Sequence, residues 1–423
     1  MKYGIHTLDD YDVRGKTVIM RIDINQPVDR AGGRLKDTTR IEASVPTIAE
    51  LSDRGARLVL LAHQGSDIEY ENFASLDLHG GVLRGLLGRD VRFVDDVCGP
   101  AARAAILSLR DGEILLLDNV RFMAEEMTLF ERRLNLDVPA MQRTQVVAKL
   151  APLGDLFVCD AFAAAHRAQP TLMGFAGLLP VAMGRLFERE YSVLSALLES
   201  PEHPSVFCLG GAKIADAFMM MGKVCKDGVA DQVLCGGLVG QVMLAAAGFD
   251  LGAVSAGYLR SKNLWEHVET AKHLLGSYGG KFVLPVDVAY VENGARVEIP
   301  VSELPAPSLL LDIGRRTAEQ FSARIAAAKT VFLNGPVGVY EDEVTELGTK
   351  SVFGAVADAA AYTVVGGGDS ISALNKYGLA KKISYVCTGG GAMVRFLTGE
   401  DLPVVEALKY GTEKIMKTNR EAI

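Results

Sequence analysis

The sequence predicts an α/β protein built on parallel sheets and divided into two domains. Three observations carry this. Ten short apolar runs recur, at residues 17–22, 57–62, 113–117, 156–159, 206–209, 232–235, 281–286, 330–333, 362–365 and 384–387. They lack polar alternation, so each reads as a strand buried on both faces. Longer helical patterns separate them, and strands that alternate with helices assemble into parallel sheets. The chain has 423 residues, more than one core ordinarily serves, and ten strands are many for one sheet.

Taken in order, residues 1–10 contain no apolar signal core. The first run ends at Arg21 and leads to Asp23 and Asn25, which are two apart and share one face. Arg40 follows. The next runs lead to His63, Arg121, His166 and Arg167. Arginines at the ends of parallel strands suit forked hydrogen bonds to a carboxylate or phosphate. Taken singly, each arginine reads equally well as a surface charge, and His63 as a satisfied structural histidine. The cluster carries the functional reading.

Between Pro180 and Pro204 the pattern predicts a helix over 185–200. Leu186, Tyr191, Leu194, Leu197 and Leu198 lie near one face, and Pro201 and Pro204 stop it. This is a candidate linker between two α/β halves. Residues 232–249 carry no charge. The Gly236-Gly237 break and Gln241 make this stretch a strand, a turn and a helix rather than a membrane span.

Two runs near the end stop at three glycines, Gly366-Gly367-Gly368 before Asp369 and Gly389-Gly390-Gly391 before Ala392. Gly210-Gly211-Ala212-Lys213 and Gly236-Gly237 repeat the theme. A helix starting beyond a strand's carboxyl end offers free N–H groups, and glycine lets a phosphate approach them. The bland alternative is a set of tight strand-to-helix turns. Asp369 is a candidate Mg²⁺ ligand, since that ion takes one or two carboxylates plus phosphate oxygens; the alternative is a helix cap. No G-x-x-x-x-G-K-[ST] occurs.

Net charge is −8, with no clustered basic footprint for nucleic acid. Six cysteines include no C-x-x-C pair, which reads as buried thiols in a reducing compartment.

Many stretches together resemble the phosphoglycerate kinase family over nearly the whole chain. They include Arg21-Ile-Asp-Ile-Asn-Gln-Pro, Leu61-Ala-His-Gln-Gly, Asp118-Asn-Val-Arg-Phe-Met-Ala-Glu-Glu, Gly210-Gly-Ala-Lys, Asn334-Gly-Pro-Val-Gly-Val-Tyr-Glu and Gly366-Gly-Gly-Asp-Ser. Ala163-Ala-Ala-His-Arg-Ala-Gln-Pro is similar to the archaeal branch.

The resemblance implies two doubly wound, Rossmann-like domains facing each other across a cleft and closing about hinges. The expected division is 1–182, a linker helix at 183–203, 204–395, and a segment 396–423 packing back on the first domain. The implied reaction is Mg-dependent phosphoryl transfer between 1,3-bisphosphoglycerate and ADP, by a cytoplasmic monomer acting on small molecules, with no nucleic-acid or membrane partner. Asp23, Asn25, Arg40, His63, Arg121 and Arg167 would bind the acid substrate. Arg40, Lys213, Gly367 and Gly390 would serve the transfer. Gly211, Ala212, Lys213, Gly237, Asn334, Pro336, Glu341, Gly366, Gly367, Gly368, Asp369 and Ser370 would bind nucleotide, with Glu341 on the ribose and Asp369 on Mg²⁺. Three positions depart from the family pattern: Ser66-Asp67 replaces a usual Arg-Pro, Cys159 a usual Asn, and Ala217 a second lysine. Ser66-Asp67 raises the alternative of another carboxylate substrate; a nucleotide-binding protein without catalysis is a further one.

Overall fold

Leucine and β-branched runs, mostly buried, pair in parallel in two six-stranded sheets among the described residues. The computed structural model describes residues 1–29, 31–65 and 73–421. Its contacts divide the chain into two units, 1–192 with 401–423, and 193–400.

In the first unit the parallel strands are β1 (Thr17–Arg21), β2 (Arg57–Leu61), β3 (Arg92–Val94), β4 (Ile114–Leu117), β5 (Leu156–Cys159) and β6 (Val181–Met183). They lie in the order β3-β4-β2-β1-β5-β6. The order reverses direction at β1 and β5, and in such sheets the crevice beyond the strands' carboxyl ends at that reversal is where ligands bind. Helix α1 (Thr39–Asp53) buries Ile41, Ile48 and Leu51 against this sheet. Helix α2 (Arg185–Glu199) begins in this unit. The C-terminal helix, Pro403–Glu421, returns to it: the amide of Val404 donates to the carbonyl of Ala165, and Gly177 lies against Tyr410 and Lys414.

In the second unit the parallel strands are β7 (Ser205–Leu209), β8 (Gln232–Cys235) and β9 (Phe282–Val283), joined after an insertion by β13 (Thr330–Asn334), β14 (Tyr362–Gly366) and β15 (Tyr385–Cys387). Their order is β9-β8-β7-β13-β14-β15, the doubly wound arrangement of nucleotide-binding sheets. The insertion is an antiparallel sheet of β10 (Asp287–Glu292), β11 (Ala295–Pro300) and β12 (Leu310–Ile313). The run expected at 281–286 is therefore cut short: Pro285, which cannot donate to a ladder, follows β9, and the chain turns into a different sheet. Among the described residues no helix is long and apolar enough to cross a membrane.

Candidate active site

The first unit gathers its polar residues just beyond the carboxyl ends of its strands. Arg21, the last residue of β1, is fully buried, and its Nη2 lies 3.0 Å from Nδ1 of His63, just past β2. Asp23 accepts from Arg40 Nη1 through both oxygens at 3.1 Å, and from the amide of Asn25 at 3.1 Å. The Asn25 Oδ1 atom accepts from the amide of Gly65 at 3.0 Å, and Arg121 donates to the carbonyl of Gly65. Gln64 is locked between Gln26 and Asn119 by four hydrogen bonds at 2.8–3.1 Å. Asp23, Asn25, Arg40, His63 and Arg121 thus share one strand-end site. Arg167 is held by Thr128 Oγ1 at 3.1 Å and Glu131 at 3.9 Å, and its charge reaches His63. Ser66 and Asp67 lie outside the described residues.

Burial pushes Asp23 up, but the charges of Arg40 and Arg21 and the Asn25 amide overcome it and hold the carboxyl down at about 2. Burial, together with the cations Arg21, Arg121 and Arg167, drives His63 well below its ordinary value, against the pull of Asp23. The site therefore presents guanidinium groups in excess over one ionised carboxylate, with a neutral imidazole, and suits an anion.

The second unit forms a pocket beyond the carboxyl ends of β7, β13, β14 and β15, at the reversal of strand order. It is lined by Gly210, Gly211, Ala212, Lys213, Asp216, Ala217, Asn334, Gly335, Gly367, Gly368, Asp369, Ser370, Gly390 and Val394. Three helices start at it: α3 (Ile214–Lys226), capped by Lys213, α5 (Gly368–Lys376) and α6 (Gly390–Leu397). Three positive dipole ends and an exposed lysine on one pocket make an anion site. Gly367 has φ +92°, and a Cβ there would lie 2.4 Å from Asn334 Oδ1, so only glycine fits. Ser370 Oγ accepts from the amide of Gly335 at 2.7 Å and pins the loop after β13 to the start of α5.

Gly211, Ala212, Lys213, Asn334, Gly367, Gly368, Asp369, Ser370 and Gly390 meet in this pocket, whereas Gly237, Pro336, Glu341 and Gly366 do not line it. Pro336 accepts from the amide of Gly211 at 2.8 Å, which supports the loop from behind. Gly237, at the start of α4 (Gly237–Ala246), lines a second pocket with Leu244, Pro285, Val288, Leu311 and Val337. Glu341 is exposed and accepts from the amide of Tyr340 at 3.1 Å. Gly366 is buried against Met393. Sequence reasoning missed Asp216; its signal is the spacing, three residues after Lys213 in the first turn of α3. Asp369 and Asp216 bring two carboxylates to a phosphate-sized pocket. Among the described residues no group of three or more His, Cys, Asp or Glu side chains could hold a metal. Such a donor set fits an ion carried in largely by phosphate oxygens, as Mg²⁺ is.

Comparison with known proteins follows the same lines. The family model for phosphoglycerate kinase matches residues 8–400. A phosphoglycerate kinase of Methanothermobacter thermautotrophicus is 42% identical over 409 residues, covering 97% of this chain and 98% of the relative. One from Thermococcus kodakarensis is 41% identical over 418 residues, covering 98% and 99%. The crystal structure of phosphoglycerate kinase from Pyrococcus horikoshii OT3 superposes with a TM-score of 0.87 at 38% identity, covering 97% of this chain and 100% of that one. Full-length likeness and the two strand-end sites agree: the chain belongs to the phosphoglycerate kinase family.

Proposed function

We propose that the chain catalyses reversible phosphoryl transfer between 1,3-bisphosphoglycerate and ADP, giving 3-phosphoglycerate and ATP. The observation that carries this is the pocket of the second unit, where three helix N-termini, Lys213 and Asp369 meet. It suits a nucleotide's phosphates, and the arginine set of the first unit suits a small phosphorylated acid. The reaction has no step that needs a protein nucleophile: the acid's own carboxylate oxygen attacks, and the protein positions and neutralises.

In the first unit Arg40, aimed by Asp23, faces the transferring group, while Asn25, His63, Arg121 and Arg167 bind the acid. In the second, Lys213 and the amides around Gly211, Gly367 and Gly390 hold phosphates. Asp369 would hold Mg²⁺, which when bound supplies further neutralisation of phosphate charge. Glu341 is assigned to the ribose. One chain carries both sets of residues, which is compatible with a monomer. All six cysteines are buried and stand outside any disulfide, which fits a cytoplasmic setting.

An assay coupling ATP and 3-phosphoglycerate turnover to a reporter enzyme, with and without Mg²⁺, tests this. Mg-dependent turnover is expected. Mg-ATP binding with turnover of a different carboxylate would favour the other substrate that Ser66-Asp67 suggests. Binding without turnover of any acid would overturn the enzymatic reading.

A further inference from the structure

Arg21 commits its guanidinium to three partners. Nε donates to Thr171 Oγ1 at 3.1 Å, Nη1 donates to the carbonyl of Ile22 at 2.5 Å, and Nη2 meets His63 Nδ1 at 3.0 Å. A guanidinium has donors and no acceptor. Nδ1 of His63 must therefore supply the lone pair, which leaves the ring proton on Nε2. At the other end, Thr171 Oγ1 turns its own proton to Glu126 Oε2 at 2.9 Å, and the amide of Thr171 donates to Glu126 Oε1 at 2.6 Å. Glu126, Thr171 and Arg21 are all fully buried. Burial pushes Glu126 up to about 7, against Arg21 and the Thr171 bonds; once it is ionised, each bond in the series has one permitted direction, so the carboxylate at one end orients the imidazole at the other.

We propose that Glu126 and Thr171 are positioning residues that act through Arg21 to hold His63 as the neutral Nε2–H tautomer. His63 then offers the acid substrate a hydrogen-bond donor and exchanges no proton with it. The charged groups that His63 feels are Asp23 and Arg21 after and on β1, Arg121 after β4 and Arg167 after β5. Three cations against one anion favour the neutral ring, as burial does. The tautomer follows from hydrogen-bond geometry alone, whereas its use rests on the acid-substrate reading above.

The test uses the full chain labelled with ¹⁵N-histidine, with the His63 signals assigned by their loss in His63→Gln. The expected signature is a bare Nδ1 and a protonated Nε2, constant from about pH 6 to pH 8, a span across the ordinary histidine value. Thr171→Val removes the hydroxyl at near-constant volume. It should give mixed tautomers or a titrating ring, and raise KM for 3-phosphoglycerate roughly tenfold, the effect of one hydrogen bond to a charged group. KM for ATP should hold, and Thr171→Ser should restore both the signature and KM. Glu126→Gln provides the same readout if Thr171→Val does not fold. A protonated Nδ1, a titrating His63 in the parent chain, or unchanged His63 signals in both folded variants would overturn the proposal. A changed signature with unchanged KM would overturn the role in substrate binding. If the parent chain shows the signature but does not turn over 3-phosphoglycerate, the acid-substrate reading fails and the tautomer assignment stands.

Discussion

Asp23 sets the charge of the acid site by holding one arginine. Its two oxygens orient Arg40, whose side chain remains about one-third exposed (36%) and so can reach a ligand. A charge that acts only on the transferring phosphoryl acts in the transition state. Arg40→Ala should therefore lower kcat for 3-phosphoglycerate more than it raises KM. Steady-state kinetics check this, and an unchanged kcat would remove Arg40 from the transfer. The same variant leaves a buried carboxylate without its cation and should cost about 1–3 kcal/mol at pH 7. The loss should shrink in acid. A carboxyl held down at about 2 contributes stability above its unfolded value and loses it as pH falls through the folded one. Asp369→Ala should abolish turnover while leaving urea unfolding within about 0.5 kcal/mol of the parent, since the residue is exposed and packs against no core; near-normal activity at limiting Mg²⁺ would refute its metal role. At this scale Asp23, Asn25 and His63 are legible in the sequence because each lies close to a strand end, whereas Arg40, expected at a strand end, is the second residue of helix α1. Glu126 and Thr171 are not, because they meet across 45 residues and neither has a local pattern that announces a partner.

Elements that carry the site begin and end at strained or buried points. Gly367→Ala would force a side chain into the left-handed region and against Asn334 Oδ1, at a cost of roughly 1–3 kcal/mol. A displacement of about 1 Å in a positioning loop can cost on the order of a hundredfold in rate, so turnover should fall steeply while KM for 3-phosphoglycerate holds; kinetics with each substrate varied would show it. The start of α2 depends on Asp160, whose Oδ1 accepts from the amides of Leu186 and Phe187 at 2.9 and 3.1 Å. Burial, outweighing those bonds and the Arg185 charge, pushes Asp160 up to about 6. Between about pH 4 and pH 6 the unfolded chain gives up this proton while the folded one keeps it, so stability falls as pH rises, by up to roughly 3 kcal/mol. Asp160→Asn has no such dependence. Urea unfolding across that window should therefore show the parent losing ground to the variant as pH rises; a constant difference would refute the assignment. The parallel strands are legible because burial on both faces demands continuous apolar runs. The edge strands β3 and β6 are passed over: exposed Arg92 leaves β3 only two apolar residues, and β6 follows directly on Pro180. The β10–β11 hairpin has a signal that run-counting passes over, Asn293-Gly294, with φ +51° and +77° in its two-residue turn.

At the scale of the whole molecule, length and strand count predict two domains, and each unit has its candidate site at the carboxyl edge of its own sheet. A phosphoryl group held by residues of one unit must reach an oxygen held by residues of the other. Water is the competing acceptor, so productive transfer requires an arrangement that excludes it. That arrangement gains from contacts made to both ligands at once, and a ligand shifts such an equilibrium only by its differential affinity for the two states. Either ligand alone engages residues of one unit and has little such preference. The dead-end pair of ADP and 3-phosphoglycerate engages both. X-ray scattering of the free chain, of each singly liganded form and of the dead-end complex should show a smaller radius of gyration in the last state alone. An equal contraction with one ligand would place the driving contacts in that ligand's own unit. An identical radius in all four states would mean that transfer proceeds without a change in the arrangement of the units.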